Sequence, residues 1–329
     1  MKTRFISIVR LAASLALIGS LINVSHALKP GERVIVLNSG DGTVSIIDRA
    51  TRKVMETRPV GKEPHHLVTT LDDSELVIAN AASNDLVFLD PLSGEVKRRL
   101  PRIIDPYQLG YSPDGKWFVS VSLRLDRVDV YAMPSYELKA RIPLAKTPSH
   151  VAFSADSKFA YVTLQDSDEL AAIDLATQKE AWRIKIGKTP AGIWMSPQGL
   201  LFVGIMGRDH VDVIDPAKRE VIKKIVTGKG AHNVFPMGNG EHVLVSNRVD
   251  GTIVKVDYKN LSVVGKPIKV GSGVDCMEVS ADGKEVWATV RWEARVAVID
   301  MTGAKPIEYI PVGRSPHGVY FKSHAKRDR

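Results

Sequence analysis

The sequence predicts an all-β fold, a seven-bladed β-propeller whose blades are four-stranded antiparallel sheets. The main observation is an internal repeat, because an alternating apolar segment that usually ends in Asp occurs seven times. The last residues of these segments stand 41 to 43 positions apart, a spacing typical of repeat architectures. The segments are 44–48, 86–90, 128–132, 170–174, 211–215, 253–257 and 296–300.

Each repeat also contains four short apolar segments, as the repeat over 189–226 shows. These segments are rich in Val, Ile and aromatic residues and are separated by Gly, Pro, Asp and Ser, which is typical of short antiparallel strands. No window of useful length has a helical period. Four strands in each of seven repeats is the pattern of a propeller, whose circular closure protects its strand edges.

The two ends of the chain complement each other. Segments 33–37, 44–48 and 54–57 match the second, third and fourth strands of a blade, with no first strand before them. Segment 314–321 matches a first strand and has no second strand after it. We therefore expect the C-terminal strand to complete the N-terminal blade as its innermost strand and to close the ring. Deletion after Gly313 should destabilise the whole ring.

The N-terminus has the features of a secretory signal peptide over residues 1–27. Basic residues precede an uncharged run at 11–24, and Ser25-His26-Ala27 places small residues where a signal peptidase cleaves. The run is shorter than the roughly 20 residues of a membrane anchor, and no Cys follows the cleavage site for a lipid anchor. We expect a periplasmic or secreted protein with the propeller at 28–322 and a basic C-terminal tail at 323–329.

Composition fits an exported soluble protein, which we expect to be a monomer. Without the three basic residues of the signal, 42 basic residues face 37 acidic ones, a net charge of +5 instead of +8. This mild excess allows an anionic partner without demanding nucleic acid. The single Cys, Cys276, excludes an intrachain disulfide.

Several units are similar to the YVTN-type propeller repeat of bacterial and archaeal exported proteins. They are 60–64 (VGKEP), 112–115 (SPDG), 161–163 (YVT) and 296–300 (VAVID). Seven such repeats resemble a family associated with pyrroloquinoline-quinone-dependent alcohol catabolism and, more distantly, the haem domain of cytochrome cd-type nitrite reductases. The resemblance implies a periplasmic propeller. No Cys-x-x-Cys-His motif occurs, which excludes covalent haem.

Histidines concentrate where the chain enters the innermost strand of each blade, at the mouth of the central channel. Alignment of the seven repeats on the Pro of Val-Gly-x-x-Pro gives these following pairs: His65-His66, Tyr107-Gln108, Ser149-His150, Ala191-Gly192, Ala231-His232, Asp275-Cys276 and His317-Gly318. Five of the mature chain's eight histidines and its only Cys lie in these fourteen positions.

Four of these residues share one register in that alignment, namely His66, His150, His232 and Cys276. Imidazole and thiolate groups suit borderline and soft metals, so the register predicts a copper or zinc site. Nitrous oxide reductase is a family-level analogy, because it resembles a seven-bladed propeller with His ligands around its hub. The alternative is that these side chains cap strand ends by hydrogen bonds across the channel.

The loops between second and third strands carry a second set of candidates, for an anionic redox cofactor held without a covalent bond. Arginine binds carboxylates and phosphates bidentately, and an exposed Trp can stack on an aromatic ligand or a single-stranded base. The predicted ligand-binding residues are Arg124, Arg208, Arg248, Arg291, Trp292, Arg295 and His317. Acids are equally numerous in these loops, so a solvated mixed-charge rim, with the Trp packed on a blade, is the alternative.

The Asp at the strand ends recurs in six of seven blades, which is typical of a turn former and not of a catalytic group. These residues are Asp48, Asp90, Asp174, Asp215, Asp257 and Asp300.

No hydrolase, Walker or dinucleotide motif occurs. The sequence therefore predicts an accessory or carrier protein that binds a metal or an anionic redox cofactor at the channel mouth. A periplasmic redox or transport protein is the expected partner, ahead of single-stranded nucleic acid. Two alternatives are a partner-protein scaffold and a lactonase- or lyase-type enzyme, in which His317 beside Asp275 would serve as general base.

Overall fold

A computed structural model describes residues 31–327, which form seven four-stranded antiparallel sheets arranged in a ring. The predicted signal peptide and the last two residues of the predicted tail lie outside the described residues. Within residues 31–327, no helix is long and apolar enough to cross a bilayer. The seven-bladed all-β prediction is confirmed.

The blades follow one another around the ring, and the strands of each are given from the axis outward. Blade 1 contains β28 (Pro316–Phe321), β1 (Arg33–Asn38), β2 (Thr43–Asp48) and β3 (Lys53–Pro59). Blade 2 contains β4 (Pro64–Thr69), β5 (Leu76–Asn80), β6 (Asp85–Leu89) and β7 (Val96–Pro101). Blade 3 contains β8 (Gln108–Tyr111), β9 (Trp117–Ser122), β10 (Arg127–Ala132) and β11 (Glu137–Pro143).

The remaining four blades repeat this order. Blade 4 contains β12 (Pro148–Phe153), β13 (Phe159–Leu164), β14 (Glu169–Asp174) and β15 (Lys179–Lys185). Blade 5 contains β16 (Pro190–Met195), β17 (Leu201–Ile205), β18 (His210–Asp215) and β19 (Glu220–Val226). Blade 6 contains β20 (Ala231–Pro236), β21 (His242–Asn247), β22 (Thr252–Asp257) and β23 (Ser262–Lys269). Blade 7 contains β24 (Val274–Val279), β25 (Glu285–Val290), β26 (Arg295–Asp300) and β27 (Lys305–Pro311).

The core lies between neighbouring blades, because both faces of each sheet pack against another sheet. Second and third strands are buried on both faces, whereas the outermost strands, such as β3, are largely exposed. Between blades 1 and 2, for example, Ile35 and Leu37 pack with Leu76 and Ile78 in one apolar cluster. This burial, at about 25 cal/mol per Å² of apolar surface, is the main stabilising term.

The chain ends close the ring as predicted. Strand β28 pairs antiparallel with β1, with Tyr320 opposite Ile35 and Val319 opposite Val36. Both of these β28 side chains are buried, Tyr320 against blade 2 and Val319 against blade 7.

The six strand-end Asp residues form turns, as predicted. In each of them a carboxylate oxygen accepts backbone N–H bonds from residues two or three positions ahead. Asp215, for example, accepts bonds from the N–H groups of Ala217 and Lys218 at 3.0 and 3.1 Å. Their recurrence therefore has a structural cause.

After β28 the chain continues across the face opposite the channel mouth, and we call residues 322–327 the C-terminal strap. Its backbone bonds to blade 7, since Ala325 N–H donates to Val279 O at 2.7 Å and Ala281 N–H donates to Ser323 O at 3.0 Å. Ala325 is buried, and Arg327 forms an ion pair with Glu278. Residues 323–327 of the predicted basic tail are thus packed against blade 7, although the sequence predicted a frayed tail.

Candidate functional site

β-Bulges position the residues at the channel mouth. In six of the seven innermost strands, two adjacent residues near the start of the strand are not paired with the second strand of the blade. In β4, for example, these are the two residues between Pro64 and Leu67. A bulge redirects side chains that strict alternation would send to opposite faces. The skipped residues, together with Tyr107 and Gln108 at the corresponding place in blade 3, form two rows around the axis. The first row is His65, Tyr107, Ser149, Ala191, His232, Asp275 and His317, and the second is His66, Gln108, His150, Gly192, Asn233, Cys276 and Gly318.

These rows correct the sequence alignment in blade 6. His232 was predicted to share the register of His66, but the ladder pairs Ala231 with Asn247 as it pairs Pro64 with Asn80. His232 therefore belongs to the first row and Asn233 to the second. Ala231 occupies the place of the Pro, as the preceding Gly228 could have indicated by its match to the Gly of Val-Gly-x-x-Pro.

The first row forms a layer of stacked rings. The His65 ring lies 4.0 Å from the Tyr107 ring and 3.9 Å from the His317 ring, centroid to centroid. His66 meets His317 edge-on at 4.5 Å and His150 at 5.1 Å, and His150 meets His232 at 5.6 Å. The five imidazoles therefore converge on the axis from four blades. We call them, with Asp275 and Cys276, the hub cluster.

Asp275 is the charged centre of the hub cluster and is fully buried. Its carboxylate lies 3.0 Å from His232 Nδ1 and 3.5 Å from His317 Nε2. The Arg248 and Arg291 guanidiniums lie 3.3 and 3.7 Å from it. Burial opposes its ionisation, but the positive charge of the Arg248 guanidinium acts in the other direction, and the pKa of Asp275 is held well below its usual value.

A relay of hydroxyls fixes the tautomer of His150. Thr163 Oγ1 donates to the backbone oxygen of Ala191 at 2.8 Å, so its proton is already used. Ser149 Oγ, 3.0 Å from Thr163 Oγ1, must then donate to it and can only accept from His150 Nδ1, also 3.0 Å away. His150 therefore carries its proton on Nδ1. Its buried Nε2 has a free lone pair and no hydrogen-bond partner.

His66 reaches the same state by another contact. Its Nδ1 lies 2.8 Å from the backbone oxygen of Tyr107, and because a carbonyl can only accept, the proton is on Nδ1. The Nε2 of His66 therefore also has a lone pair. In metal sites the second ring nitrogen of a ligand His is held in this way by a carbonyl or another acceptor.

The imidazoles of the hub cluster are neutral. Desolvation is the largest cause in every case, and it lowers the pKa of His66 to about 4 and also lowers the pKa of the four other imidazoles. Desolvation raises the pKa of Cys276 well above its usual value, so the thiol keeps its proton. Its Sγ lies 3.5 Å from His317 Nδ1 and 3.6 Å from the Asn233 amide nitrogen.

Two sets of donors come close enough to share an ion. Within residues 31–327, the ligand atoms of His65, His66 and His317 lie within 4.8 Å of one another, as do those of Asp275, Cys276 and His317. The predicted set of His66, His150, His232 and Cys276 lies within the hub cluster but not within this distance as a group. The predicted metal set did not include His65 and Asp275, which stand one residue before the shared register, and the sequence used Asp275 only in the enzyme alternative, beside His317. The bulges in β4 and β24 bring both residues to the axis.

The loop candidates divide into inner and outer residues. Arg248 and Arg291 reach Asp275, whereas Arg124 pairs with Asp105 and Glu63, and Arg295 pairs with Glu293. Arg208 is exposed and has no ion pair among the described residues. Trp292, on a 3-10 turn at Arg291–Glu293, is 59% exposed and lies against Gly273 of its own blade. The outer part is thus a mixed-charge rim.

A cavity of about 270 Å³ lies on the axis next to the second row. It is lined by six of the seven second-row residues and by none of the first row. Its far end is bounded by Glu278 and by Ala325 and Arg327 of the strap. We call it the channel chamber.

The fold and the hub cluster define a seven-bladed propeller with a buried, histidine-rich axis. A model of the YNCE-like β-propeller family matches residues 9–327, and the chain belongs to this family. The recognition of a bacterial-type propeller repeat is thereby confirmed. Comparison with curated proteins gives no match.

Solved structures with the same fold are distant in sequence. A functionally unknown protein from Desulfotomaculum acetoxidans DSM 771 has a TM-score of 0.76 at 14% identity, over 90% of this chain and 100% of that one. Kuenenia stuttgartiensis hydrazine synthase has a TM-score of 0.65 at 19% identity, over 77% and 87%. Dihydro-heme d1 dehydrogenase NirN in complex with DHE has a TM-score of 0.64 at 15% identity, over 89% and 75%. These likenesses concern the fold alone.

Proposed function

We propose that this protein is an exported propeller that binds a transition-metal ion, copper or zinc, at the hub cluster and acts as a carrier or accessory protein. The observation that carries the proposal is the convergence of five neutral imidazoles and a thiol on one axis. Export rests on the signal peptide predicted from the sequence.

The donor set favours borderline and soft metals. Neutral imidazole nitrogen suits copper and zinc, and thiolate suits them further once the metal displaces its proton, whereas magnesium and calcium need several oxygen ligands. His66 and His150 each present an Nε2 lone pair, because their Nδ1 protons are bonded elsewhere. The lone pair on His150 lacks any hydrogen-bond partner, a costly state for a buried polar atom that a metal ion would relieve.

Metal analysis of matched variants tests the proposal. His66→Gln with His317→Gln disrupts both close donor sets, because His317 belongs to each. The control, His210→Gln with His242→Gln, removes two histidines that lie in the third strand of blade 5 and the second strand of blade 6, outside the hub cluster. Each protein is purified from the periplasm without a His tag or chelator, titrated with zinc and with reduced copper, and analysed for bound metal.

We expect the wild type and the control to retain one equivalent of metal and the hub variant to lose at least 90% of it, since loss even of the residues that support metal ligands typically costs about 10–100-fold in affinity. Equal unfolding temperatures would show that the loss is not caused by misfolding. Retention of one equivalent by the hub variant, or none by the wild type, would contradict the proposal.

Two contacts of Asp275 support a second candidate, a lactonase- or lyase-type activity. Asp275 lies between His232 and His317, an arrangement that could orient an imidazole as a general base. Asp275→Asn keeps the shape and removes the charge. If the alternative is right, the wild-type protein will turn over at least one member of a lactone panel and the Asp275→Asn variant will not. If the wild type turns over none of them, the alternative is rejected and only the binding function remains.

A further inference from the structure

We propose that the channel chamber is the route by which the metal ion reaches the hub cluster, from the strap side, with Glu278 as the docking carboxylate and Arg327 as its removable lid. This inference rests on the proposed metal function and adds to it a second cation site, a direction of access and a control point.

The channel chamber is large enough for a hydrated ion. Its volume of about 270 Å³ is many times the roughly 10–15 Å³ that a cavity needs to hold one water molecule. Seven innermost strands surround it, and their inward edges present backbone groups that do not take part in the blade ladders. The carbonyl oxygens among these backbone groups would offer oxygen ligands to an ion in transit.

The metal donors that line the channel chamber belong to the second row. His66, His150 and Cys276 line it, whereas His65, Asp275 and His317 do not. The Nε2 of His150 is fully buried and has no hydrogen-bond partner. A metal ion that moves along the channel chamber would therefore meet these donors first.

Inside the mixed-charge rim, the innermost charges on the mouth side oppose the approach of a cation. Arg248 and Arg291 lie over Asp275 there, with side chains 16% and 22% exposed, so two guanidiniums face solvent for one carboxylate. Beneath them the stacked rings of Tyr107, His65 and His317 cover the axis. Like charge at an entrance lowers the local concentration of an ion and hence its rate of association.

The strap side has the opposite arrangement. Glu278 is 7% exposed and lines the channel chamber, and its ion-pair partner is Arg327, near the end of the chain. The side chain of Arg327 is 26% exposed, so this end reaches solvent. A cation can replace a guanidinium on a carboxylate without leaving a buried charge unpaired. Arg327 therefore occupies the position where an incoming cation would dock.

Rates of metal loading test the route with variants that leave the hub cluster intact. Zn²⁺ is mixed with apoprotein in a stopped-flow instrument, and release is followed with a chromophoric chelator. We expect Arg327→Gln to load and release zinc on the order of ten times faster with nearly the same equilibrium affinity, Arg327→Lys to restore slow loading, and Glu278→Gln to load on the order of ten times slower.

Two variants serve as matched controls. Lys326→Gln removes a positive charge from an exposed residue of the same strap, and Arg208→Gln removes one from the mouth side. Both should load at the wild-type rate, and unfolding temperatures would show that all variants are folded.

Wild-type loading rates in both Arg327→Gln and Glu278→Gln would overturn the route, as would faster loading in Arg208→Gln, which would show access through the mouth. In either case equilibrium metal binding would persist and the proposed function would stand. A wild-type protein that binds no zinc would instead overturn the metal function, and the route with it.

Discussion

Ser149 determines which nitrogen of His150 is available to a ligand. The hydroxyl of Ser149 is committed to Thr163, so it accepts the Nδ1 proton of His150 and leaves Nε2 free. The histidine alone does not specify this state, because a neutral imidazole can place its proton on either nitrogen. The chemistry of the hub therefore depends on a buried serine that no metal motif would include.

Ser149→Ala should weaken metal binding without unfolding the protein. Loss of the acceptor removes the preference for the Nδ1 tautomer, and we expect about a tenfold fall in zinc affinity, the lower limit for such supporting residues. Ser122→Ala is the control, because Ser122 is also fully buried and donates to a backbone oxygen, that of Ile104, away from the histidines. Equal affinities of the two variants would show that the relay does not act on His150.

At the scale of single elements, strand β28 carries the closure of the ring. Val319 lies in this innermost strand and is buried, whereas Val54 lies in the outermost strand of the same blade and is 40% exposed. The same substitution at the two positions therefore compares the two edges of one sheet.

Val319→Ala should lower the free energy of unfolding by about 2 kcal/mol, through lost burial and the cavity left behind. Val54→Ala should change it by less than about 0.5 kcal/mol, as surface substitutions usually do. Deletion of all residues after Gly313 removes the whole strand, and we expect no folded monomer. Denaturant titration followed by circular dichroism measures all three, and a folded, cooperative deletion variant would show that the ring does not need β28.

For the whole molecule, the sequence predicted the architecture because each blade is a local unit with its own strand pattern and turn residues. The axial position of the histidines was predictable for the same reason, since equivalent places in every repeat meet at the axis. The bulges were not predictable from alternation, and they bring both residues of each pair to the axis. Contacts between distant loops, such as Arg124 with Glu63, depend on blade placement and could not be read from one repeat.

The buried imidazoles couple the stability of the whole ring to pH. All five have a pKa below the ordinary value of 6.5, and that of His66 is lowered to about 4, with desolvation the largest cause. The unfolded chain therefore binds more protons than the folded protein below pH 6.5. The contribution of the neutral imidazoles to the free energy of unfolding is therefore fully present above pH 6.5, and it is lost as the pH falls toward 4.

Each proton taken up only on unfolding contributes a slope of about 1.4 kcal/mol per pH unit. We expect the free energy of unfolding of metal-free protein, from urea titrations between pH 7.5 and 4.5, to fall with decreasing pH. The total slope should be the sum of the contributions of several imidazoles. His66→Gln removes one titrating group and should reduce the slope by about one proton, whereas Ser122→Ala, which changes no titrating group, should keep it. A flat profile across this range would mean that the hub imidazoles take up protons within the folded ring. The desolvation that keeps their lone pairs available to a metal would then be absent.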